Sequence, residues 1–267
     1  MARNAVGIAS PSLGRHLKGT SSRKKQARRE RITRAKERAA LVAVANSQTD
    51  LLSGLDAFRT YVCNELDVRV EAFSGPQLCE SDIDACMSLL RSNMGTLYER
   101  SSWGWDEATK RAGLVDAATR VVLLRMQPTR PDLAACEDDW VIVEHPEHPP
   151  TPPPQRNVGF LHLSFTIEDE RPVLYVLELQ LEEEVREKGL GKFLMQLAEV
   201  LARKYGMEAL MLTVFKTHKK ALDFYRQKLR YAIDESSPSL WNHDADYEIL
   251  SKPVEPQPQE ITERTCS

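Results

Sequence analysis

The chain has 267 residues, of which 42% are hydrophobic, with 36 Lys and Arg against 39 Asp and Glu. This content is sufficient for a buried core, which excludes a wholly disordered chain. Because no apolar run reaches about 18 residues and none follows the positive residues at the start, we expect neither a membrane span nor a secretory signal. Five cysteines without a CxxC pair favour reduced thiols in an intracellular protein and offer no zinc site.

The charge is unevenly distributed along the chain. Residues 1–38 carry twelve Lys and Arg but only two acidic residues, which gives this arm a net charge of +10. Because the whole chain has a net charge of −3, the remaining residues together carry −13. Such a basic arm is compatible with nucleic-acid contact, with a nuclear localisation signal, or with a solvated helix that has no partner. Because residues 1–29 contain no acid and several serines, an organelle transit peptide is a further interpretation.

The first half of the chain predicts helices. Residues 27–46 are rich in Arg, Ala, Glu and Leu, and residues 50–62 form a second helical stretch. The clearest helix opens at Ser81, with Asp84 three residues later as an N-terminal signal. Apolar residues then recur every three or four positions, which predicts one buried face made of Ile83, Met87, Leu90, Met94 and Leu97.

Short segments rich in Val, Leu and Ile predict an antiparallel meander in the middle of the chain. The predicted strands are residues 120–126, 140–143, 158–165 and 172–181. The many prolines between 145 and 156 favour an exposed polyproline connection, and the acidic residues 168–170 form a short turn.

From Gly189 the pattern changes to alternating helix and strand. A helix runs to Gly206, followed by a strand at 209–215, a helix at 219–229 and a strand at 247–251. Strand 172–181, the first of these helices and strand 209–215 form a βαβ unit, so the two strands should be parallel. We therefore predict an α+β domain with a mixed sheet over residues 39–252, between the basic arm 1–38, which is partly disordered, and a disordered tail 253–267.

The most informative segment is the turn before the helix that opens near Gly189, Arg186-x-x-Gly189-x-Gly191. Helix N-termini bind anions through unpaired N–H groups, and glycines let a diphosphate approach the backbone. Lys188 and Lys192 add positive charge at the same end. A Walker loop would need glycine at position 186, and a dinucleotide fingerprint would need glycine at position 187, so neither motif fits.

R-x-x-G-x-G/A at a strand-to-helix junction resembles the acetyl-CoA motif of the GCN5-related N-acetyltransferase (GNAT) superfamily. The preceding meander and the following strand and Ala221-x-x-Phe224-Tyr225 helix occur in the same order. The resemblance implies a GNAT fold with N-terminal helices, an antiparallel meander and a βαβ unit whose strands part to hold pantetheine. It narrows to NatD-type N-alpha-acetyltransferases in ordered blocks at 98–105, 173–175, 178–182, 188–194, 211–216, 236–239 and 247–251.

This resemblance implies an acetyl-CoA-dependent acyltransferase without a metal that acts on the α-amino group of histones beginning Ser-Gly-Arg-Gly, types 4 and 2A. It implies histone N-terminal peptides as partners and activity without an auxiliary subunit. With the basic arm, it leads us to expect a nuclear and cytoplasmic protein that contacts nucleosomes or ribosomes.

The chemistry requires a base, because an α-amino group with a pKa of about 7.7–8.0 is largely protonated at neutral pH. The resemblance assigns this role to Glu178, with Tyr98 as a further catalytic residue and Tyr225 as the acid for the leaving thiolate. Direct attack by the amine is expected, since no cysteine lies in a recognisable nucleophile setting. Backbone N–H groups of the parted strands would stabilise the oxyanion.

The resemblance also implies binding residues. The cofactor contacts are Leu179, Gln180, Leu181, Arg186, Glu187, Lys188, Gly189, Leu190, Gly191 and Lys192. The peptide contacts are Tyr98, Trp103, Glu168, Tyr175, Thr213, Ser236 and Tyr247.

Three positions depart from the family pattern. Leu177 replaces a substrate-contacting tyrosine, Thr166 replaces an aspartate, and His218 replaces the asparagine that contacts coenzyme A. His218 either donates a hydrogen bond to the cofactor or caps the helix. Two alternatives therefore stay open: a GNAT enzyme that acetylates another N-terminus or a lysine, and a non-catalytic module that binds histones or nucleic acid.

Overall fold

One mixed sheet forms the centre of the residues that the computed structural model describes, which are 17–127, 156–242 and 244–255. Its eight strands are β1 Thr60–Cys63, β2 Leu66–Ser74, β3 Thr119–Met126, β4 Arg156–Glu168, β5 Arg171–Leu181, β6 Ala209–Phe215, β7 Ala232–Ile233 and β8 Tyr247–Pro253. They lie in the order β1-β2-β3-β4-β5-β6-β8-β7. Within this sheet β5 and β6 pair in parallel and every other neighbouring pair is antiparallel, which confirms the predicted α+β class.

Five α-helices accompany the sheet in the same part of the chain: α1 Leu17–Asn46, α2 Glu80–Glu99, α3 Glu107–Leu114, α4 Leu190–Lys204 and α5 Lys219–Asp223. The chain continues from α5 with π-helical hydrogen bonding over Phe224–Lys228. The βαβ unit of β5, α4 and β6 confirms the predicted parallel pair.

The core has two halves because side chains alternate across the sheet. On β3, Val121 and Leu123 pack with α2 and α3, whereas Val122 and Leu124 pack in the larger cluster that includes α4. All four side chains are fully buried, and burying one such side chain contributes roughly 1.5–3 kcal/mol. The two halves fix α2 and α4 on opposite faces of β5.

Several predicted boundaries were wrong. Residues 50–62 are not a helix: they contain a turn with Gly54 at φ +70°, a short 3-10 segment and strand β1. Helix α2 begins at Glu80 rather than Ser81, and its N-cap is Cys79. Pro253 ends β8 and the Val254 side chain packs on the core, so the first residues of the predicted tail are ordered. The predicted strand 140–143 and residues 145–155 of the proline-rich connection lie outside the described residues.

Helix α1 contacts the domain only near its C-terminal end, among the side chains that the structure describes. Val42 and Ala45 pack on the core, and the Asn46 side-chain amide donates to the Phe165 carbonyl at 3.1 Å. The buried Arg120 guanidinium donates to the Asn46 carbonyl at the end of the helix. Positions 23–37 are exposed, so the basic part of α1 extends beyond these contacts.

No helix within the described ranges is long and apolar enough to cross a membrane.

Candidate active site

A cleft opens where β5 and β6 part. Their parallel pairing runs from Val173 with Ala209 to Val176 with Leu212 and then stops, while β6 stays paired with β8 up to Phe215. Residues 177–181 of β5 therefore line one wall of a cleft of about 1710 Å³. Backbone groups on this side of β5 lack the partner strand and are available to a ligand.

A β-bulge marks the point of divergence. His162 pairs with Glu178 and Leu163 pairs with Val176, so Leu177 has no partner on β4. A bulge bends and twists its strand, which explains why β5 leaves β6 here. Leu177, which stands where the resembling family has a tyrosine, lines the cleft and is 41% exposed. At this position the cleft therefore presents an apolar side chain to a ligand.

Glu178 is the carboxylate at this point, and its side chain is only 10% exposed. Its Oε1 accepts from the Tyr98 hydroxyl at 2.9 Å and lies 3.4 Å from Lys110 Nζ, and its Oε2 accepts from Gln180 Nε2 at 2.9 Å. Since each carboxylate oxygen has two lone pairs, these contacts leave one lone pair of Oε2 free to accept a proton.

The phenols beside Glu178 are held in the protonated form. Burial raises the pKa of Tyr98, and the charge and hydrogen bond of Glu178 raise it further. Burial also raises the pKa of Tyr225, with the charge of Glu178 as the second cause. Both tyrosines line the cleft and are protonated at neutral pH. Because Tyr98 already donates its one hydrogen to Glu178, Tyr225 is the hydroxyl of this pair that can donate to a ligand.

His162 is the cross-strand partner of Glu178 but does not line the cleft. Burial, and after it the nearby Lys110 charge, lower its pKa to about 4, so the imidazole is neutral at pH 7. Its Nε2 has no hydrogen-bond partner among the described residues. Because His162 cannot reach the ligand space, Glu178 is the better candidate for the base.

The predicted anion site follows the C-terminal end of β5, at the start of α4. Gly189 is the N-cap of α4 and has φ +94°, a left-handed conformation that favours glycine. Gly189, Gly191 and Lys192 line the cleft, so the first N–H groups of α4 and one lysine face the same space. The Leu190 side chain is buried in the core, so this residue can contact a cofactor only through its backbone.

A hydrogen-bond network joins this turn to β5 and α2. Arg186 donates to the Leu181 carbonyl at 3.0 Å and to Asn93 Oδ1 at 2.6 Å. Asn93 Nδ2 in turn donates to Gln180 Oε1 at 3.0 Å. Arg186 and Gln180 line the cleft, but part of their hydrogen-bonding capacity is used to fix the turn relative to Glu178. Asn93 was not among the predicted site residues.

The predicted peptide residues fall into two groups. Trp103 packs edge-on against Tyr247 with ring centroids 4.9 Å apart, and against Phe215 at 5.4 Å. Tyr98 lies 5.1 Å from Phe215 and 6.3 Å from Trp103, which makes an aromatic cluster beside Glu178. Tyr98, Trp103 and Phe215 are cleft-lining members of this cluster.

The second group lies along the sheet, away from Glu178. The Tyr175 hydroxyl bonds to Thr213 Oγ1, which lines the cleft. Glu168 is at the end of β4, opposite Arg171. The Ser236 hydroxyl donates to Asp234 Oδ1 at 2.7 Å. The structure therefore does not bring Glu168 and Ser236 into contact with Glu178.

Asp234 anchors the segment after β7. It is only 3% exposed, and its two oxygens each lie 3.1 Å from Arg171 Nη2. Burial alone would raise its pKa, but hydrogen bonds from Ser251 and Ser236 and the Arg171 guanidinium lower it to about 2.

This carboxylate predicts a loss of stability in acid. Because the pKa in the folded state lies below the ordinary value of 3.8, Asp234 stabilises the protein above about pH 4, and this contribution is lost as the pH falls toward 2. The free energy of unfolding should fall by about 2 kcal/mol over this range through Asp234. Urea unfolding of Asp234→Asn should show a flatter dependence on pH than the wild type. The exposed Asp244→Asn control should keep the wild-type slope; if Asp234→Asn also keeps it, the assignment is wrong.

The other departures and an unpredicted residue have clear positions. His218 Nδ1 accepts from the Ala221 N–H at 3.2 Å, so His218 caps α5 while it lines the cleft. Thr166 pairs with Val173 within the sheet. Lys110, which was not predicted, comes from α3 and lies 3.7 Å from the centre of the Tyr98 ring as well as beside Glu178. Helix α3 was itself missed, so no sequence signal pointed to Lys110.

Within residues 17–127, 156–242 and 244–255, no group of three or more His, Cys, Asp or Glu side chains could hold a metal ion.

Parted parallel strands beside a glycine-bearing helix N-terminus form a cleft suited to a ligand with a phosphate group. Residues 126–230 match the Acetyltransferase (GNAT) family. The protein is an acyltransferase that uses acetyl-CoA, as the sequence predicted.

Solved structures with a similar arrangement come from several organisms. Ard1 from Thermoplasma volcanium is 16% identical with a TM-score of 0.44, and 70% of this chain and 98% of that chain are covered. PaiA N-acetyltransferase from Thermoplasma acidophilum, in complex with coenzyme A, is 16% identical with a TM-score of 0.43 and the same coverage. NAA60 of Arabidopsis thaliana, with a bisubstrate analogue, is 11% identical with a TM-score of 0.45, again with 70% and 98% covered.

Proposed function

We propose that the protein is an N-alpha-acetyltransferase that acetylates histone N-termini beginning Ser-Gly-Arg-Gly, with Glu178 as the base. The observation that carries this proposal is the position of Glu178. Its carboxylate is nearly buried, has a free lone pair, and lies in the cleft at the point where β5 leaves β6. An uncharged amine must be generated near the thioester, and this carboxylate is suited to remove its proton.

The proposed reaction uses the chain's own groups in sequence. Glu178 accepts one proton of the substrate ammonium, and the amine nitrogen forms a bond to the carbonyl carbon of the thioester. Backbone N–H groups of the parted strand stabilise the resulting oxyanion. The C–S bond then breaks as the neutral Tyr225 hydroxyl donates its proton to the leaving thiolate. The second proton of the attacking nitrogen passes, directly or through water, to the Tyr225 oxygen, which leaves a neutral amide, and Glu178 releases its proton to solvent.

Features of the cleft support a short, cationic peptide as the substrate. The aromatic cluster of Tyr98, Trp103, Phe215 and Tyr247 offers flat surfaces beside Glu178 for small N-terminal residues. Outside the arm the chain carries a net charge of −13, which favours approach of a peptide that contains Arg and Lys.

A pair of peptides tests this proposal. The protein is incubated with acetyl-CoA and either free or N-terminally blocked Ser-Gly-Arg-Gly-Lys peptide, and the acetylated position is read by mass spectrometry. We expect acetylation of the free α-amino group and none of the blocked peptide. Equal acetylation of the blocked peptide at lysine would overturn the proposal in favour of a lysine acetyltransferase. A peptide array with stronger turnover of another N-terminus would overturn the histone assignment alone.

We also propose that the exposed basic part of α1 contacts the nucleic acid of nucleosomes or ribosomes. Positions 23–38 carry nine Lys and Arg, and among the described side chains only Arg38 pairs with an acid, Glu208 at 3.6 Å. Apart from alanines, Ile32 is the apolar residue of this stretch, so it lacks the apolar face that membrane binding requires.

Removal of this charge should weaken salt-sensitive binding without affecting turnover. A chain that lacks residues 1–38 should lose at least about tenfold in affinity for duplex nucleic acid at 50 mM salt, and the slope of log affinity against log salt should become shallower. Its kcat/KM for free peptide should stay within about twofold of the wild type. Replacement of Arg28, Arg29, Arg31 and Arg34 by Gln should give the same result with the helix retained. Unchanged affinity in both variants would refute the contact.

A further inference from the structure

Two side chains of the hairpin of β1 and β2 hydrogen-bond to the same backbone atom of residues 186–191, the acetyl-CoA turn. The Tyr61 hydroxyl donates to the Lys188 carbonyl at 2.5 Å, and Asn64 Nδ2 donates to the same oxygen at 3.0 Å. The two donors come from positions 127 and 124 residues earlier in the chain. Two side chains that converge on one carbonyl fix its direction.

The hairpin is held against the start of α4. Tyr61 packs edge-on against Phe193 with ring centroids 5.1 Å apart, and Phe58 packs on the same ring at 5.3 Å. Burial raises the pKa of Tyr61, so its hydroxyl remains a donor at neutral pH. The donor is therefore positioned by packing.

The contact has a geometric consequence for the next residue. In a planar trans peptide the C=O and N–H bonds point in opposite directions. With the Lys188 carbonyl directed at the hairpin, the Gly189 N–H points away from it. Gly189 lines the cleft, whereas Tyr61 and Asn64 do not. A Cβ at position 189 would lie 2.4 Å from the Tyr61 hydroxyl, so glycine and tyrosine fit together here.

We propose that Tyr61 and Asn64 are positioning residues for acetyl-CoA, which hold the Lys188–Gly189 peptide so that its N–H faces the cofactor diphosphate. The proposal rests on acetyl-CoA as the cofactor and does not depend on which amine is acetylated. Neither residue touches the ligand space, so both act through the backbone of the turn. Without them the peptide can rotate and present its carbonyl, which repels an anion.

Titration of CoA into the protein tests this directly. Tyr61→Phe removes the hydroxyl and should raise the Kd of CoA about fivefold, the effect of roughly one hydrogen bond. Asn64→Ala, at an exposed position, should raise it about threefold. The matched control is Tyr205→Phe. The Tyr205 hydroxyl has no hydrogen-bond partner among the described residues, and the Tyr205 ring packs on Phe165, away from the turn. Its Kd should equal that of the wild type.

A truncated thioester separates positioning from a general structural effect. For Tyr61→Phe, KM for acetyl-CoA should rise about fivefold with kcat unchanged, whereas KM for acetyl-pantetheine, which lacks the diphosphate, should not change. An unchanged Kd for CoA, or an equal rise in KM for both thioesters, would overturn the proposal. If the histone peptide is the wrong substrate, the CoA titration still reports on Tyr61, so the two proposals fail independently.

Discussion

Glu178→Gln is expected to lower kcat by about 10²- to 10³-fold while the Kd of CoA stays within about twofold. The glutamine amide fills the same space as the carboxylate but cannot accept a proton at neutral pH, and loss of a general base typically costs this much. Cofactor binding should persist because the acetyl-CoA turn is fixed by Arg186 and Asn93 rather than by the carboxylate. Stopped assays with saturating acetyl-CoA and free peptide measure kcat, and titration measures Kd.

The controls for this variant address its effect on folding. Glutamine leaves Lys110, whose side chain is 24% exposed, without its ion-pair partner, so thermal unfolding should be measured beside activity. Glu199→Gln removes a carboxylate on α4 that pairs with Lys252 at 2.8 Å outside the cleft, and it should keep wild-type kcat. A kcat for Glu178→Gln within about threefold of the wild type, with the fold intact, would remove Glu178 from the role of base.

Gly189→Ala is expected to raise the Kd of CoA by about 30-fold. The left-handed φ of +94° costs an L-residue about 1–2 kcal/mol, and the new Cβ would lie 2.4 Å from the Tyr61 hydroxyl. The turn must therefore leave its observed conformation, which misdirects the N–H groups at the start of α4. Isothermal titration with CoA measures the loss.

Gly54→Ala is the matched control for backbone strain. Gly54 has φ +70°, but a Cβ there would meet nothing within 4 Å. This variant should lose about 1–2 kcal/mol of stability and keep the wild-type Kd of CoA. Equal Kd values for Gly189→Ala and the wild type would contradict the proposed diphosphate site.

Local patterns predicted the second half of the domain well. Strand β6 was predicted at its observed bounds, and β4, β5 and α4 within a few residues, because their periodicity and glycine signals are local. The same rules failed before α2. Leu66, Val68 and Val70 alternate with polar residues and form β2, but no strand was predicted there, and residues 50–62 were predicted to be helical. The left-handed turn at Gly54 and the pairing of Tyr61 with β2 make this segment a turn and a strand instead of a helix. Pairing between strands is not visible in a local pattern.

What the sequence by itself determined is the acetyl-CoA turn, since a strand, Arg186-x-x-Gly189-x-Gly191 and a helix are contiguous and their chemistry is local. The surroundings of Glu178 were decided by the tertiary structure. Tyr98 and Lys110 reach it from 80 and 68 residues away, on helices whose docking depends on the packing of the whole sheet face. The bulge at Leu177 likewise exists only in the pairing of β4 with β5. Residue types can nominate a carboxylate, but its partners depend on contacts between distant segments, which a linear pattern does not encode.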